Sequence, residues 1–222
     1  MKKYAVLVAG GTGTRMKSST PKQFLEINGN PLLYYTIDTF LKAFSDINII
    51  IVLPNEHIQN WRTTINNYFP KTDIQLIQGG DTRFQSVKNG LSLIKEESII
   101  FVHDAVRCLL SKALIIRCYE SAVAFGSAIP AINSKDSVRV VENGISKAVN
   151  RDTVKLIQTP QTFRSDILLN AFKNEYNTAF TDEASVVEFA GLQVNVMEGE
   201  ESNIKITHPI DLFIAEKIMS ER

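Results

Sequence analysis

A glycine-rich loop with two nearby cations stands close to the start of the chain. Residues 9–16 read Ala-Gly-Gly-Thr-Gly-Thr-Arg-Met, and a Pro-Lys-Gln segment follows five residues later. Glycines allow the backbone to approach a bulky anion, and their N–H groups can bond phosphate oxygens. The pattern predicts a nucleoside triphosphate site built from six small or cationic residues. These are Ala9, Gly10, Gly11, Gly13, Arg15 and Lys22.

Two common phosphate-binding motifs do not fit this loop. The dinucleotide fingerprint requires glycine where Met16 stands, and the Gly-Lys pair of the Walker A loop occurs nowhere in the chain. What remains, G-G-x-G-x-R-M followed by P-K-Q, resembles the signature of nucleotidyltransferases that join a nucleoside monophosphate to a sugar or polyol phosphate. An ordinary glycine-rich turn between strand and helix is the alternative, but it needs neither Arg15 nor Lys22.

Further polar residues follow later predicted strands, at the edge where ligands lie in open parallel sheets. Gly80, Asp81 and Ser86 offer backbone and hydroxyl groups that could read the edge of a base. A helix N-terminus capped by Asp81 or Thr82 is the alternative for this loop. Both interpretations place the segment at the carboxyl end of the third predicted strand.

The segment His103-Asp104-Ala105-Val106-Arg107 closes a fourth predicted strand. Asp104 could hold a hydrated Mg²⁺ or a substrate hydroxyl, and Arg107 suits a phosphate. A loop pair of Asp104 and Arg107 without a catalytic role is equally compatible with the segment. We predict a structural role for His103, because the chain has no G-x-S-x-G elbow to complete a triad.

Four residues of the C-terminal half are further candidates, each with an ordinary alternative. Arg151 and Thr159 flank a polar segment that could close over a ligand or simply leave a strand. Thr181 opens a Thr-Asp-Glu-Ala-Ser run, which is a capped helix N-terminus that can also bind an anion. Lys205 lies between two isoleucines on a predicted strand, where an exposed lysine is the alternative.

The elements that must position these residues alternate between apolar strands and amphipathic helices. This is the pattern of a single α/β domain with a mostly parallel sheet, covering residues 1–222. We predict strands at 4–9, 47–53, 74–77, 98–102, 128–132, 193–197 and 203–207. Helices are predicted at 31–43, 55–68, around 87–93, 111–125, 165–176, 181–190 and from 209.

One segment interrupts this alternation. Residues 137–141 and 145–149 alternate in polarity around Asn143-Gly144, a strong signal for a β-hairpin. We therefore predict an inserted β-arm at about 134–157. Its exposed strand edges need cover, so a partner subunit is expected.

Composition limits the class of protein. The 222 residues contain 24 Lys and Arg and 24 Asp and Glu, so no global field attracts nucleic acid. No apolar run approaches the roughly 20 residues that span a bilayer. The two cysteines, Cys108 and Cys118, have no metal or redox spacing and are expected to be reduced and buried. These features predict a cytoplasmic enzyme without membrane or nucleic-acid partners.

The motifs taken in order resemble one enzyme family over nearly the whole chain. A-G-G-T-G-T-R-M…P-K-Q-F, G-G-D-T-R-F-Q-S-V, H-D-A-V-R, Q-T-P-Q-T-F, T-D-E-A-S and N-I-K-I-T-H-P are similar to those of the 2-C-methyl-D-erythritol 4-phosphate cytidylyltransferases of the non-mevalonate isoprenoid pathway. Members are Mg²⁺-dependent homodimers of Rossmann-like nucleotidyltransferase domains, with a β-arm that reaches the partner's site. Ribitol-5-phosphate cytidylyltransferases are related alternatives. They typically have Thr-Asp-Ala-Cys where this chain has Thr-Asp-Glu-Ala, which favours the methylerythritol acceptor.

The resemblance implies transfer of CMP from CTP to a polyol phosphate with release of pyrophosphate. It implies a catalytic set of Arg15, Lys22 and Arg151. It implies a nucleotide-binding set of Ala9, Gly10, Gly11, Gly13, Gly80, Asp81, Ser86 and Thr159. It implies an acceptor set of Asp104, Arg107, Thr181 and Lys205. Mg²⁺ would be held mainly by the CTP phosphates, with Asp104 as a candidate ligand.

Two other classes remain as alternatives. A glycosyltransferase that uses a sugar nucleotide can share a strand-end Asp and a metal, but it would normally show a D-x-D motif, which this chain lacks. A nucleotide-sensing module needs the base and phosphate loops but not an acceptor cluster. Arg151 and Lys205 therefore favour an enzyme.

Overall fold

The structure is a computed structural model that describes residues 1–11 and 21–221. Gly13 and Arg15, two of the predicted site residues, lie outside the described residues. In chain order the strands are β1 (Lys2–Val8), β2 (Glu26–Ile27), β3 (Asn30–Pro31), β4 (Asn48–Leu53), β5 (Ile74–Gln78), β6 (Ser98–Asp104), β7 (Ser127–Asn133), β8 (Val138–Glu142), β9 (Ile145–Val149), β10 (Lys155–Ile157), β11 (Gln161–Arg164) and β12 (Val196–Glu198). The helices are α1 (Leu32–Ala43), α2 (Asn55–Tyr68), α3 (Arg83–Leu91), α4 (Lys112–Phe125), α5 (Ser165–Ala171), α6 (Glu183–Phe189) and α7 (Pro209–Ser220).

A central eight-stranded sheet has the order β10-β7-β11-β6-β1-β4-β5, with β12 also paired to β7. The neighbours β6, β1, β4 and β5 are all parallel, whereas β11 is antiparallel to both β6 and β7. The predicted α/β fold with a mostly parallel sheet is confirmed. Both faces of the inner parallel strands β6, β1 and β4 are covered, which is why these strands are mostly apolar, whereas the edge strand β5 alternates with the exposed Gln75 and Gln78.

The two faces of β1 show how the core is built. Successive side chains of a strand point to opposite faces. Ala5 and Leu7 pack in a cluster with Leu33 and Phe40 of α1. Val6 points to the other face and packs with residues of α3, including Val87. The sheet is therefore the rigid layer from which the strand-end loops project.

Several predicted elements differ from the structure. Residues 203–207 form no strand; the segment instead docks by a hydrogen bond from the Ile206 N–H to the Val106 carbonyl at 3.1 Å. Strand β12 lies a few residues later than predicted, and α5 ends at Ala171. Strand β11 was missed because Gln161 and Thr162 are polar, although both are buried in the sheet.

The predicted hairpin is present. Strands β8 and β9 pair with each other in a separate two-stranded sheet, and Asn143 and Gly144 have φ values of 50° and 78° at the turn. Positive φ at both central residues matches the twist of a two-residue hairpin loop. The range predicted for the arm also includes β10, which pairs with β7 in the main sheet. Among the described helices, none has the length and apolarity needed to cross a membrane.

Candidate active site

A cavity of about 220 Å³ opens at the carboxyl ends of β1, β5 and β6. It is lined by residues from three strand-end loops and from the segment before α7. Of the predicted site residues, the lining includes Ala9, Gly10, Gly11, Lys22, Gly80, Asp81, Ser86, Asp104 and Lys205. Ligands of open α/β sheets bind at this edge, so the topology brings the sequence candidates to the expected place.

The short 3-10 turn Lys22–Phe24 is anchored on two sides. The buried Gln23 donates from Nε2 to the Ala9 carbonyl at 2.7 Å, which ties the turn to the end of β1. Phe24 stacks on Trp61 of α2, with ring centroids 4.2 Å apart. The Lys22 ammonium group lies 3.5 Å from the Ile206 carbonyl. These contacts hold Lys22 at the cavity wall between the first loop and the segment before α7.

The loop between β5 and α3 is held closed by its own side chains. The Ser86 hydroxyl accepts from the Gly80 N–H at 3.1 Å and donates to the Thr82 carbonyl at 2.9 Å. Thr82 caps α3 by accepting from the Gln85 N–H at 3.0 Å, as one alternative for this loop predicted. A Cβ atom on Gly80 would clash with Gln85, so only glycine fits there.

Asp104, at the end of β6, is surrounded by three cations. The Lys205 Nζ lies 2.7 Å from Oδ2 of Asp104, and the Arg107 Nε lies 3.8 Å from the same atom. The Arg83 Nη2 lies 3.5 Å from the other oxygen, Oδ1. Both oxygens of a mostly buried carboxylate are therefore engaged, and their orientation is fixed.

The electrostatics of this cluster follow from that arrangement. Burial alone would raise the pKa of Asp104, but Arg83, Lys205 and Arg107 together hold that pKa far below its usual range. Burial lowers the pKa of Arg107, and the pull of Asp104 only partly offsets it. The Asp104 carboxyl is therefore ionised at neutral and mildly acidic pH. Its negative charge orients the cations that face the cavity.

Arg107 lies beside the cavity rather than in its lining. Its Nη1 donates to the Asn203 carbonyl at 2.8 Å, and its Nη2 donates to the Ile157 carbonyl at 3.4 Å. These bonds fix the segment that carries Lys205. Arg107 therefore acts on the cavity indirectly: it contacts Asp104, and it holds the segment that carries Lys205 in place.

Thr159 and His103 form a buried layer beneath Asp104. The Thr159 hydroxyl accepts from the Asp104 N–H at 3.1 Å and lies 3.0 Å from Nδ1 of His103. His103 is fully buried, and its Nε2 lies 3.3 Å from the Arg107 carbonyl. This geometry agrees with the structural role predicted for His103. It also shows Thr159 using its hydroxyl within the protein rather than in the cavity lining.

Two predicted site residues lie away from this cavity. Thr181 is exposed before α6, where Asp182 and Ser185 form the helix capping box. Arg151 is exposed near the base of the hairpin and donates to the Lys135 carbonyl at 3.2 Å. Within one chain, the described residues do not bring Arg151 to the other candidates.

The cavity also contains residues that sequence reasoning did not select, chiefly Gln23, Thr82, Val106 and Arg83. Arg83 follows Gly-Gly-Asp-Thr at a strand end, and this cation in a strand-end loop was the available signal. Arg83 forms an ion pair with Glu183, which lies in the Thr-Asp-Glu-Ala-Ser run that was predicted to open a helix. The pairing of two residues a hundred positions apart needs the tertiary structure.

The donor set bears on the predicted Mg²⁺. Within residues 1–11 and 21–221, no group of three or more His, Cys, Asp or Glu side chains is placed to hold a metal ion. Asp104 faces three cations, so a direct metal bond there would have to displace them. The described residues therefore do not fit a protein-built metal cage.

The fold and the cavity define an α/β protein with a cationic ligand site at the carboxyl edge of its sheet. The chain matches the family described as IspD, 2-C-methyl-D-erythritol 4-phosphate cytidylyltransferase, over residues 4–221. It is 42% identical over 219 residues to the protein of that name from Phocaeicola vulgatus, covering 99% of this chain and 100% of the relative. The protein of that name from Azobacteroides pseudotrichonymphae is 44% identical over 218 residues, covering 98% of both chains.

Solved structures give the same result. The 2-C-methyl-D-erythritol 4-phosphate cytidylyltransferase of Francisella tularensis superposes with a TM-score of 0.79 at 31% identity, covering 98% of this chain and 99% of that chain. A 4-diphosphocytidyl-2C-methyl-D-erythritol synthase from Anaerococcus prevotii superposes with a TM-score of 0.82 at 28% identity, covering 99% and 98%. The chain belongs to the 2-C-methyl-D-erythritol 4-phosphate cytidylyltransferase family, and it is a cytidylyltransferase.

Proposed function

We propose that this enzyme transfers CMP from CTP to 2-C-methyl-D-erythritol 4-phosphate, with release of pyrophosphate. Family membership supports the reaction, and one observation in the structure supports its location. Lys22, Lys205, Gly10 and Gly11 all line a single cavity. Lysines and exposed backbone N–H groups together suit a triphosphate and a second phosphate that must meet at one phosphorus atom.

The reaction proceeds by in-line displacement. A phosphate oxygen of the acceptor forms a bond to the α-phosphorus of CTP, and the bond from that phosphorus to the bridging oxygen of pyrophosphate breaks. The hydroxyl of Ser86, which lines the cavity, is already hydrogen-bonded to its own loop, and both cysteines are buried away from the cavity. No covalent intermediate with the protein is required, so positioning and charge stabilisation supply the catalysis.

Lys22 carries the central catalytic role in this proposal. Its turn is fixed by Gln23 and by the stack of Phe24 on Trp61, so its charge is in place before the reaction begins. A preorganised cation stabilises charge that develops in the transition state without further reorganisation. We assign Arg15 the same task at the triphosphate, on the basis of the sequence pattern.

The loop of Gly80, Asp81 and Ser86 is proposed to hold the cytidine. Internal hydrogen bonds fix its backbone, so its remaining polar groups present one donor and acceptor pattern to a base. A base of different pattern would leave buried groups unpaired, at about 1–3 kcal/mol for each group. CTP is therefore expected to be preferred over UTP and ATP.

Lys205 and Asp104 are proposed to hold the polyol phosphate, with Asp104 accepting from an acceptor hydroxyl and Arg107 positioning both of these residues. Mg²⁺ is proposed to bind through the phosphate oxygens of CTP, where it would neutralise triphosphate charge. Binding of Mg²⁺ to the CTP phosphates agrees with the structure, because three cations already surround the Asp104 carboxylate. The roles of Thr159 and Thr181 in binding stay predictions from the resemblance.

A homodimer is proposed through the β-arm. The hairpin pairs only with itself among the described residues, and Val141 and Ile145 are 64% and 65% exposed. An isolated hairpin is marginally stable in water, so a partner surface would stabilise it. Arg151 lies at the base of this arm, and its catalytic assignment is compatible with a site completed across the dimer. The two unbridged, buried cysteines support a reducing, cytoplasmic location.

The deciding experiment measures pyrophosphate release from CTP, UTP or ATP with methylerythritol phosphate, ribitol phosphate or no acceptor. We expect the fastest release with CTP and methylerythritol phosphate, and no release without an acceptor or without Mg²⁺. Preferential use of ribitol phosphate would reassign the acceptor. Release without an acceptor, or equal rates with UTP, would overturn the proposal.

A further inference from the structure

A buried ion pair lies behind the wall of the cavity. Glu183, the first residue of α6, has only 1% of its surface exposed. Both of its carboxylate oxygens accept from Arg83: Nη1 donates to Oε1, and Nη2 donates to Oε2 at 3.0 Å. Arg83 is the first residue of α3 and lines the cavity. The pair therefore joins the loop proposed for cytidine to the start of a distant helix.

The same guanidinium group also faces the acceptor cluster. Nη2 of Arg83 lies 3.5 Å from Oδ1 of Asp104, on the side of that carboxylate opposite Lys205. The result is a continuous line of alternating charges, Glu183, Arg83, Asp104 and Lys205. A planar guanidinium that is held on two atoms by one carboxylate has little freedom left to turn toward another.

The charge balance gives this line its effect. Without Glu183, the full charge of Arg83 would be directed at Asp104 and would compete with Lys205 for it. Burial raises the pKa of Glu183, and the adjacent Arg83 offsets that rise only in part. Replacing a buried ion pair by apolar residues is often neutral or stabilising, so such a pair is weak evidence for a role in stability.

We infer that Glu183 is a positioning residue for the acceptor side of the cavity: it acts through Arg83 to fix the orientation of the Asp104 carboxylate. This inference rests on the proposed function, in which Asp104 contacts the polyol phosphate. Glu183 itself does not line the cavity. Its effect should therefore appear in how the enzyme binds the acceptor.

The first test is Glu183→Gln, which keeps the size of the side chain but removes its charge and one acceptor atom. The KM for the acceptor should rise about tenfold or more, in the range for losing a hydrogen bond to a charged group. The KM for CTP should change by less than about threefold, because the loop bonds of Ser86 are intact. The matched control is Glu188→Gln, an exposed carboxylate on the same helix, which should leave both constants unchanged.

A double-mutant cycle separates positioning from stability. Arg83→Gln should itself weaken acceptor binding, and adding Glu183→Gln to it should have no further effect on the acceptor KM. A residue that only stabilises the fold would lower the melting temperature without this selective, non-additive change. All assays run well below the lowest melting temperature. If Glu183→Gln does not fold, Arg83→Lys replaces it as the test. This variant keeps the positive charge but loses the paired hydrogen bonds of the guanidinium group, so it should raise the acceptor KM similarly.

The outcomes are distinct. An unchanged acceptor KM in Glu183→Gln, or in Arg83→Lys where that substitutes for it, overturns the inference while leaving the proposed function intact. Equal losses from Glu183→Gln in the wild-type and Arg83→Gln backgrounds also overturn it. A wild-type enzyme that transfers CMP to no polyol phosphate overturns the proposed function, and this inference with it.

Discussion

The Thr159 hydroxyl lies 3.0 Å from Nδ1 of His103 and also accepts from the Asp104 N–H at 3.1 Å. Its own proton is therefore available to Nδ1. Nε2 of His103 then carries the ring proton and donates to the Arg107 carbonyl at 3.3 Å. One tautomer of a neutral imidazole satisfies both bonds, so His103 ties Thr159 to Arg107 in the loop that follows β6.

This tie predicts a pH dependence of stability. Burial lowers the pKa of His103 to about 3, although the Asp104 charge opposes the shift. An unfolded histidine titrates near 6.5, so between these values the unfolded chain binds a proton that the folded chain does not. The free energy of unfolding should fall as the pH falls, by about 2.5 kcal/mol between pH 7 and 4.5 from this residue. Denaturant unfolding of wild type and His103→Gln measures it, and parallel pH profiles would contradict it.

Lys22→Ala should lower kcat by on the order of 100-fold or more, as expected for the loss of one preorganised transition-state donor. The affinity for CTP should fall far less, because other groups of the loop still bind the phosphates. Steady-state kinetics and calorimetry with CTP measure the two effects. Lys71→Ala, an exposed lysine remote from the cavity, is the matched control. Near-normal turnover of Lys22→Ala would show that Lys22 has no catalytic role.

Gly80→Ala should raise the KM for CTP by about tenfold, equivalent to about 1.4 kcal/mol. The added Cβ would clash with Gln85 and displace the loop that Ser86 holds closed. The acceptor KM should change less, because Asp104 and Lys205 lie on other segments. Kinetics with each substrate varied in turn test this, and thermal unfolding verifies that the variant folds. An unchanged KM for CTP would separate this loop from the nucleotide.

Phe24→Leu should lower kcat and alter the emission of Trp61. The chain has a single tryptophan, and Phe24 stacks on it in the turn that carries Lys22. Losing the stack leaves that turn held on one side only. In the wild-type enzyme, the fluorescence emission of Trp61 should change on addition of CTP. The CTP concentration that gives half of this change should be close to the KM for CTP. If CTP leaves the Trp61 emission unchanged and the kcat of Phe24→Leu is normal, the stack does not position the turn.

Replacing residues 138–148 with a short glycine-rich loop should yield a monomer that still binds CTP but binds the polyol phosphate weakly. The paired substitutions Val141→Lys and Ile145→Lys should have the same effect while keeping the hairpin, because they place a charge at an exposed apolar position on each of its two faces. Val123→Lys, at another exposed valine on α4, is the control. Sedimentation and calorimetry decide the matter. A wild-type monomer with full activity would contradict the dimer proposal.

The sequence predicts the parallel strands and their loops well, because continuous β-branched runs such as Ile49–Val52 have few other solutions. The sequence is less informative where polar residues occupy buried positions or line the cavity. Gln161 and Thr162 lie inside the sheet, and Lys205 faces the cavity from a segment that is not a strand. The pairing of Arg83 with Glu183 depends on how two distant helices pack together, and no local sequence pattern predicts that packing.

The cationic cluster has a consequence for how substrates reach the enzyme. In and directly behind the cavity there is one more cation than carboxylate, in a chain whose formal net charge is +0: the cations are Lys22, Arg83, Arg107 and Lys205, and the carboxylates are Asp81, Asp104 and Glu183. Such a field decays within about 8 Å at physiological ionic strength. Anionic substrates are therefore attracted only in the last steps of their approach. Added salt shortens this range further, so it should slow the association of both anionic substrates.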